Sequence, residues 1–175
     1  VQVPSSRNPK LTNSINPRLT SSINPKLTNS INPKLTSSIN PKLTNSINPK
    51  LTSSINPKMT NSINPKLTSS INPKLTNSIN PKLTSSINPF LTSNIKGLFL
   101  WTLDLNPIAF TVQANHRVHL IFDQERNFTS FLVIVRENFM NVFDLNNEWI
   151  GYWVHKRDNI WLRFSTNGEW LGSTS

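Results

Sequence analysis

Asn24-Pro25-Lys26-Leu27-Thr28-Asn29-Ser30-Ile31 runs directly into Asn32-Pro33-Lys34-Leu35-Thr36-Ser37-Ser38-Ile39. The same octapeptide recurs eleven times from Asn8, with Arg18, Met59 and Phe90 as departures and a reordered last unit, Thr92-Ser93-Asn94-Ile95. Proline at every eighth position excludes an α-helix, because each interior Pro removes a main-chain bond and costs ~3 kcal/mol. The segment Leu-Thr-(Asn/Ser)-Ser-Ile alternates instead. It predicts a short strand with Leu11 and Ile15 facing inward and Thr12 and Ser14 facing outward. Asn-Pro supplies the corner, since Pro presets φ and Asn initiates turns. The sixth position alternates Asn13, Ser21, Asn29, Ser37 along the array. That alternation predicts a sixteen-residue coil of two octapeptides, stacking Asn on Asn along a β-solenoid-like rod.

Working outward, residues 1–103 carry twelve Lys or Arg and no Asp or Glu, whereas residues 104–175 carry six basic and eight acidic side chains. All five Trp, the one Tyr and eight of nine Phe follow residue 96, and the first Gly is Gly97. These shifts divide the chain into a lead-in (1–7), the octapeptide array (8–95) and an aromatic β-domain (96–175). There is no Cys, which excludes disulfides and thiolate metal sites. No apolar run reaches the ~18 residues that suggest a membrane span.

The aromatic half alternates apolar and polar residues between short breaks, and predicts an antiparallel meander, either an open sheet or a small barrel. The expected strands are Leu98–Leu103, Ile108–Val112, Arg117–Phe122, Thr129–Val135, Phe139–Phe143, Trp149–His155, Ile160–Phe164 and Glu169–Leu171. Asn167-Gly168 is the strongest hairpin signal, read as two positive-φ residues. Phe122, Phe143 and Phe164 lie twenty-one residues apart, marking a hairpin-sized repeat. The stretch Asn159–Gly172 resembles the aromatic repeats of bacterial cell-wall and choline-binding modules in length and in its Phe-x-x-Asn-Gly core. It does not reproduce their paired cage aromatics, so no family is assigned.

Nothing in the chain suggests catalysis. There is no phosphate loop, nucleophile elbow or Cys nucleophile. His116 and His119 lie three apart on a strand and face opposite ways, which does not suit one metal ion. The expectation is therefore a non-enzymatic chain with no cofactor and no metal. It is read as an extracellular or cell-surface structural protein forming a homo-oligomer or filament. The alternative is an adhesin-like module for anionic or carbohydrate polymers, such as acidic polysaccharide or a cell envelope. In the sixteen-residue coil Lys10, Lys26, Lys42, Lys58 and Lys74 would line one edge, and Arg18, Lys34, Lys50, Lys66 and Lys82 the other. Trp149, Trp153, Trp161 and Trp170 are the candidates for assembly or sugar contact. Nucleic acid is disfavoured because the array lacks aromatic or Arg interleaving. Thr12, Ser14, Thr20, Ser22, Thr28 and Ser30 are candidate O-glycosylation positions, and Asn127 heads a sequon. A third reading takes the Thr-x-Ser rows as similar to the Thr ladders of ice-binding solenoids.

Overall fold

A computed structural model describes residues 1–175. Its regular elements are eight antiparallel strands: β1 (Phe99–Thr102), β2 (Pro107–Gln113), β3 (Val118–Asp123), β4 (Phe128–Arg136), β5 (Phe139–Asp144), β6 (Trp149–Arg157), β7 (Ile160–Ser165) and β8 (Trp170–Thr174). Each strand pairs with the next, and β8 pairs back on β1 to close a barrel. No helix is long and apolar enough to cross a membrane.

The twenty-one-residue repeat becomes a fourfold barrel of hairpins. Leu105, Arg126 and Asn147 (φ 62°, 66° and 63°) and Gly168 (φ 80°) occupy one position in four equivalent turns. Their amides donate to the carbonyls of Thr102, Asp123, Asp144 and Ser165, three residues earlier. Asn167 does not share the positive φ expected of it. These are longer turns closed by a single left-handed residue, not two-residue hairpin turns.

Both faces of the barrel wall are apolar. One face carries Phe99, Phe110, Phe122, Phe131, Phe143, Tyr152 and Phe164. The other carries Leu100, Ile121, Leu132, Met140, Val142 and Trp153, which cluster together. An eight-stranded barrel is narrow inside, with room for a single layer of its own side chains and at most one small ligand. The smaller cluster is therefore the interior, and the aromatic face points outward, where it needs a cover.

The octapeptide array provides that cover, and it is not a β-solenoid. It contains no strand; each unit but the reordered last one has one 3₁₀ turn over (Asn/Ser)-Ser-Ile, as at Asn29–Ile31 and Ser37–Ile39. The coil is eight residues long, not sixteen. In one unit, the Asn32 carbonyl accepts from the amides of Leu35 and Thr36, Asn32 Oδ1 accepts from the Lys34 amide, and the Thr36 carbonyl accepts from the Ile39 amide. These local bonds pair most of the unit's amides without a ladder, which a Pro in every unit would interrupt, and leave the exposed Ser37 and Ser38 amides to solvent. Neighbouring coils are stitched by Thr hydroxyls, such as Thr36 Oγ1 to the Asn29 carbonyl at 2.6 Å. Asn and Ser at the sixth position are both exposed and alternate from coil to coil, so no Asn ladder forms.

The inward and outward assignments also change. Ile turns in together with the Pro of each unit, as at Ile47 and Ile63 (both 0% exposed), while Leu turns out, as at Leu43 (67%) and Leu67 (63%). Ile63, Ile71 and Ile79 join the cluster containing Phe131 and Phe143, and Ile31, Ile39 and Ile47 join the one containing Phe139, Tyr152 and Phe164. The array is thus a belt around the barrel, sharing its outer core. The accessible surface of 8515 Å² is close to the roughly 8,700 Å² expected of a compact monomer of this mass. A projecting rod would expose more.

The belt closes on itself. The Gln2 amide donates to the Pro89 carbonyl at 2.7 Å. Arg7 donates to the main-chain oxygens of Ile95 (3.0 Å), Gly97 (2.5 Å) and Ser175 (2.6 Å), and lies over the Phe99 ring. Inside the circuit, buried Asn141 donates to the Ile47 carbonyl and accepts from Trp149 Nε1, both at 3.0 Å. Phe99, Leu120 and Leu162 stand at the positions equivalent to Asn141.

Candidate functional site on the belt

In an eight-residue coil the basic side chains form one row around the circumference, not two edges. The row runs along the rim where the four left-handed turns lie, and the turns engage every third lysine. Lys10 reaches Asn106 (3.2 Å), Lys34 reaches Glu169 (2.8 Å), Lys58 pairs with Glu148, and Lys82 reaches Asn127 (2.8 Å). The lysines advance by twenty-four residues while their partners step by twenty-one. Three octapeptides of belt therefore match one hairpin of barrel. Lys42 and Lys66 bond the neighbouring turn residues Asn167 (3.0 Å) and Asn146 (3.5 Å). At the opposite rim Arg117, Arg136 and Arg157 donate to the carbonyls of Ser54, Ser38 and Ser14.

These contacts sort the candidate cations by role. Lys10, Lys34, Lys42, Lys58, Lys66 and Lys82 fasten the belt to the barrel. The ammonium or guanidinium groups of Arg18, Lys26, Lys50 and Lys74 make no hydrogen bond or ion pair with the protein. Beside them runs an apolar row from Leu11 to Leu91, each member 63–68% exposed. The Lys34 ammonium, by hydrogen bond and then by charge, holds the Glu169 carboxyl below its ordinary pKa.

The tryptophans do not share a surface. Trp153 is buried inside the barrel, and Trp161 flanks the interior at the rim opposite the lysines, 4.7 Å from the His155 ring. Trp149 and Trp170 pack on the outer face under the belt, with Trp170 Nε1 donating to the Gly172 carbonyl. Thr12, Thr20 and Thr28 spend their hydroxyls on the preceding coil, whereas Ser14, Ser22 and Ser30 are exposed. Asn127 is exposed, but its amide donates to Asp123 and accepts from Lys82.

Sequence reasoning passed over Arg163. It stands one repeat after Val142, two after Ile121 and three after Leu100, so it is the one charge in an otherwise aliphatic interior layer. Aligning the four hairpins would have exposed it. It lines a cavity of about 300 Å³ bounded by residues of all eight strands. At the other rim a cavity of about 490 Å³ lies between His119, Met140 and Trp161 of the barrel and Ile87 and Ile95 of the belt. Burial lowers the His119 pKa. No protein family, curated protein or solved structure matches this chain.

Proposed function

We propose that this is a non-enzymatic, surface-acting adhesion protein whose belt holds an anionic polymer, such as an acidic polysaccharide of a cell envelope. The observation that carries the reading is the belt's one-signed surface. It has no acidic side chain of its own, and four cations stand unpaired beside an exposed leucine row. Barrel carboxylates neutralise only Lys34 and Lys58. The remaining field attracts polyanions, and the leucines add apolar contact. Spread over a circumference, the cations suit a long or repetitive partner better than a small ligand. The lysine ring also marks out which residues can be changed safely, because the fastening lysines are distinct from the free ones.

The test is retention on an immobilised sulfated or carboxylated polysaccharide, read at increasing salt. Replacing Arg18, Lys26, Lys50 and Lys74 with Gln should weaken binding at least about tenfold, a loss of ~1.4 kcal/mol. Thermal stability should be unchanged, because none of the four holds the fold. Undiminished retention would sink the reading.

A second reading, self-association, is favoured by the leucine row alone. Neighbouring belts would, however, bring like charges together, and neither open coil ends nor free strand edges are available. Sedimentation velocity at high salt, where the repulsion is screened, would reveal such an oligomer.

A further inference from the structure

Arg163 is the residue whose presence the fold does not explain. Its strand position pairs with Trp153 on β6 and Gly172 on β8, and the side chain points into the barrel. Nε is buried without a hydrogen-bond partner, and no carboxylate lies within 4.0 Å. Asp123 borders the same cavity but is spent elsewhere. Its oxygens accept from the amides of Glu125 (2.9 Å) and Asn127 (2.8 Å) and from the Asn127 side chain (3.2 Å). Desolvation pushes the guanidinium pKa down to about 10, so it is still charged at neutral pH.

An unpaired cation in an apolar interior is costly, and an aliphatic residue of the kind found at the three equivalent positions would be the cheaper choice. The cavity gives the charge a use. Around Arg163 it is walled by Leu100, Ile121 and Val142, with Thr129 and Ser130 nearby. Its mouth opens at the lysine-bearing rim through Ile108 (38% exposed), Ile150 (45%) and Leu171 (46%). We infer that the barrel interior is a binding site for a small amphipathic carboxylate, its head on the Arg163 fork and its apolar body along the aliphatic wall. A guanidinium matches a carboxylate with two parallel bonds, which favours this head group over a spherical anion. The volume of about 300 Å³ equals that of about ten liquid water molecules, so the ligand has about ten non-hydrogen atoms, the size of octanoate. This site is separate from the belt cations and does not depend on what they bind.

The test uses the full chain with octanoate, octanol and inorganic phosphate as probes, read by calorimetry and by shifts in melting temperature. Octanoate should bind saturably with one site and raise the melting temperature. Arg163→Leu should weaken octanoate at least tenfold, leave octanol binding the same or tighter, and melt no lower than the wild type. Arg163→Lys, which keeps the charge but loses the fork, should fall between them. Equal octanoate binding by wild type and Arg163→Leu would overturn the assignment, as would no octanoate binding at all. Phosphate binding as tightly as octanoate would overturn the amphipathic class. Should Arg163→Leu prove unstable, the octanoate-to-octanol preference of Arg163→Lys against wild type decides the matter. An unchanged preference there refutes the fork.

Discussion

Ile63→Ala and Leu67→Ala remove aliphatic side chains four residues apart in neighbouring octapeptides, and the two should behave very differently. Ile63 is fully buried, in a cluster with barrel aromatics including Phe131 and Phe143, whereas Leu67 is 63% exposed. Truncating a buried Ile to Ala loses transfer free energy and leaves a cavity, together ~2–4 kcal/mol. The belt coil is held in place by its own turns and by the Thr68 hydroxyl bond to the Asn61 carbonyl, so it has little freedom to collapse into the gap. Truncating Leu67 should stay within ~0.5 kcal/mol, as at other exposed positions. In urea, with a slope of ~2–3 kcal/mol per molar, the Ile63 variant should lose about 1 M in midpoint and the Leu67 variant almost nothing. Tryptophan fluorescence, which reports the barrel, and backbone circular dichroism should shift together, because belt and barrel share that core. Equal losses in the two variants would refute the inside-out assignment. A Trp signal unaffected by Ile63→Ala would refute the shared core.

Asn141→Ala should cost ~2–4 kcal/mol in the same assay, because it orphans the buried Ile47 carbonyl as well as leaving a gap. Arg7→Ala should loosen the belt closure, read as faster hydrogen exchange at the Gln2 amide while the β4 and β5 amides stay protected. Asn147→Gly should stabilise by ~0.5–1 kcal/mol in thermal unfolding, since it relieves a positive φ and removes a buried carbonyl oxygen without a partner. Burial lowers the His119 pKa below its ordinary 6.5, so the unfolded chain takes up that proton first as pH falls. The stability it contributes is complete above that value and is lost as pH drops through the folded-state pKa. His119→Leu should therefore lessen the fall in melting temperature between about pH 7.5 and about pH 5, relative to wild type. An unchanged fall would show that His119 is not held neutral.

The sequence by itself determined the parts with local causes. All eight strands of the aromatic half follow from period-two alternation broken by turn residues, and the twenty-one-residue hairpin unit is visible in Phe122, Phe143 and Phe164. The one-signed charge of the array is likewise a matter of counting. The coil of the array was not legible, because Leu-Thr-Asn-Ser-Ile satisfies an alternating pattern while its amides find partners within four residues. Whether Leu or Ile faces inward is undecided within an octapeptide that carries both. Only the aromatic outer face of the barrel decides it, by offering the isoleucines a surface that the leucines cannot reach from the same turn. The candidate site divided the same way. Each lysine looks like every other in sequence, and its role as fastener or free cation is set by a twenty-one-residue step on the barrel running inside a twenty-four-residue step on the belt. That mismatch exists only once one half of the chain has wrapped around the other, because matching three coils to one hairpin is a property of two concentric circumferences and of neither repeat alone.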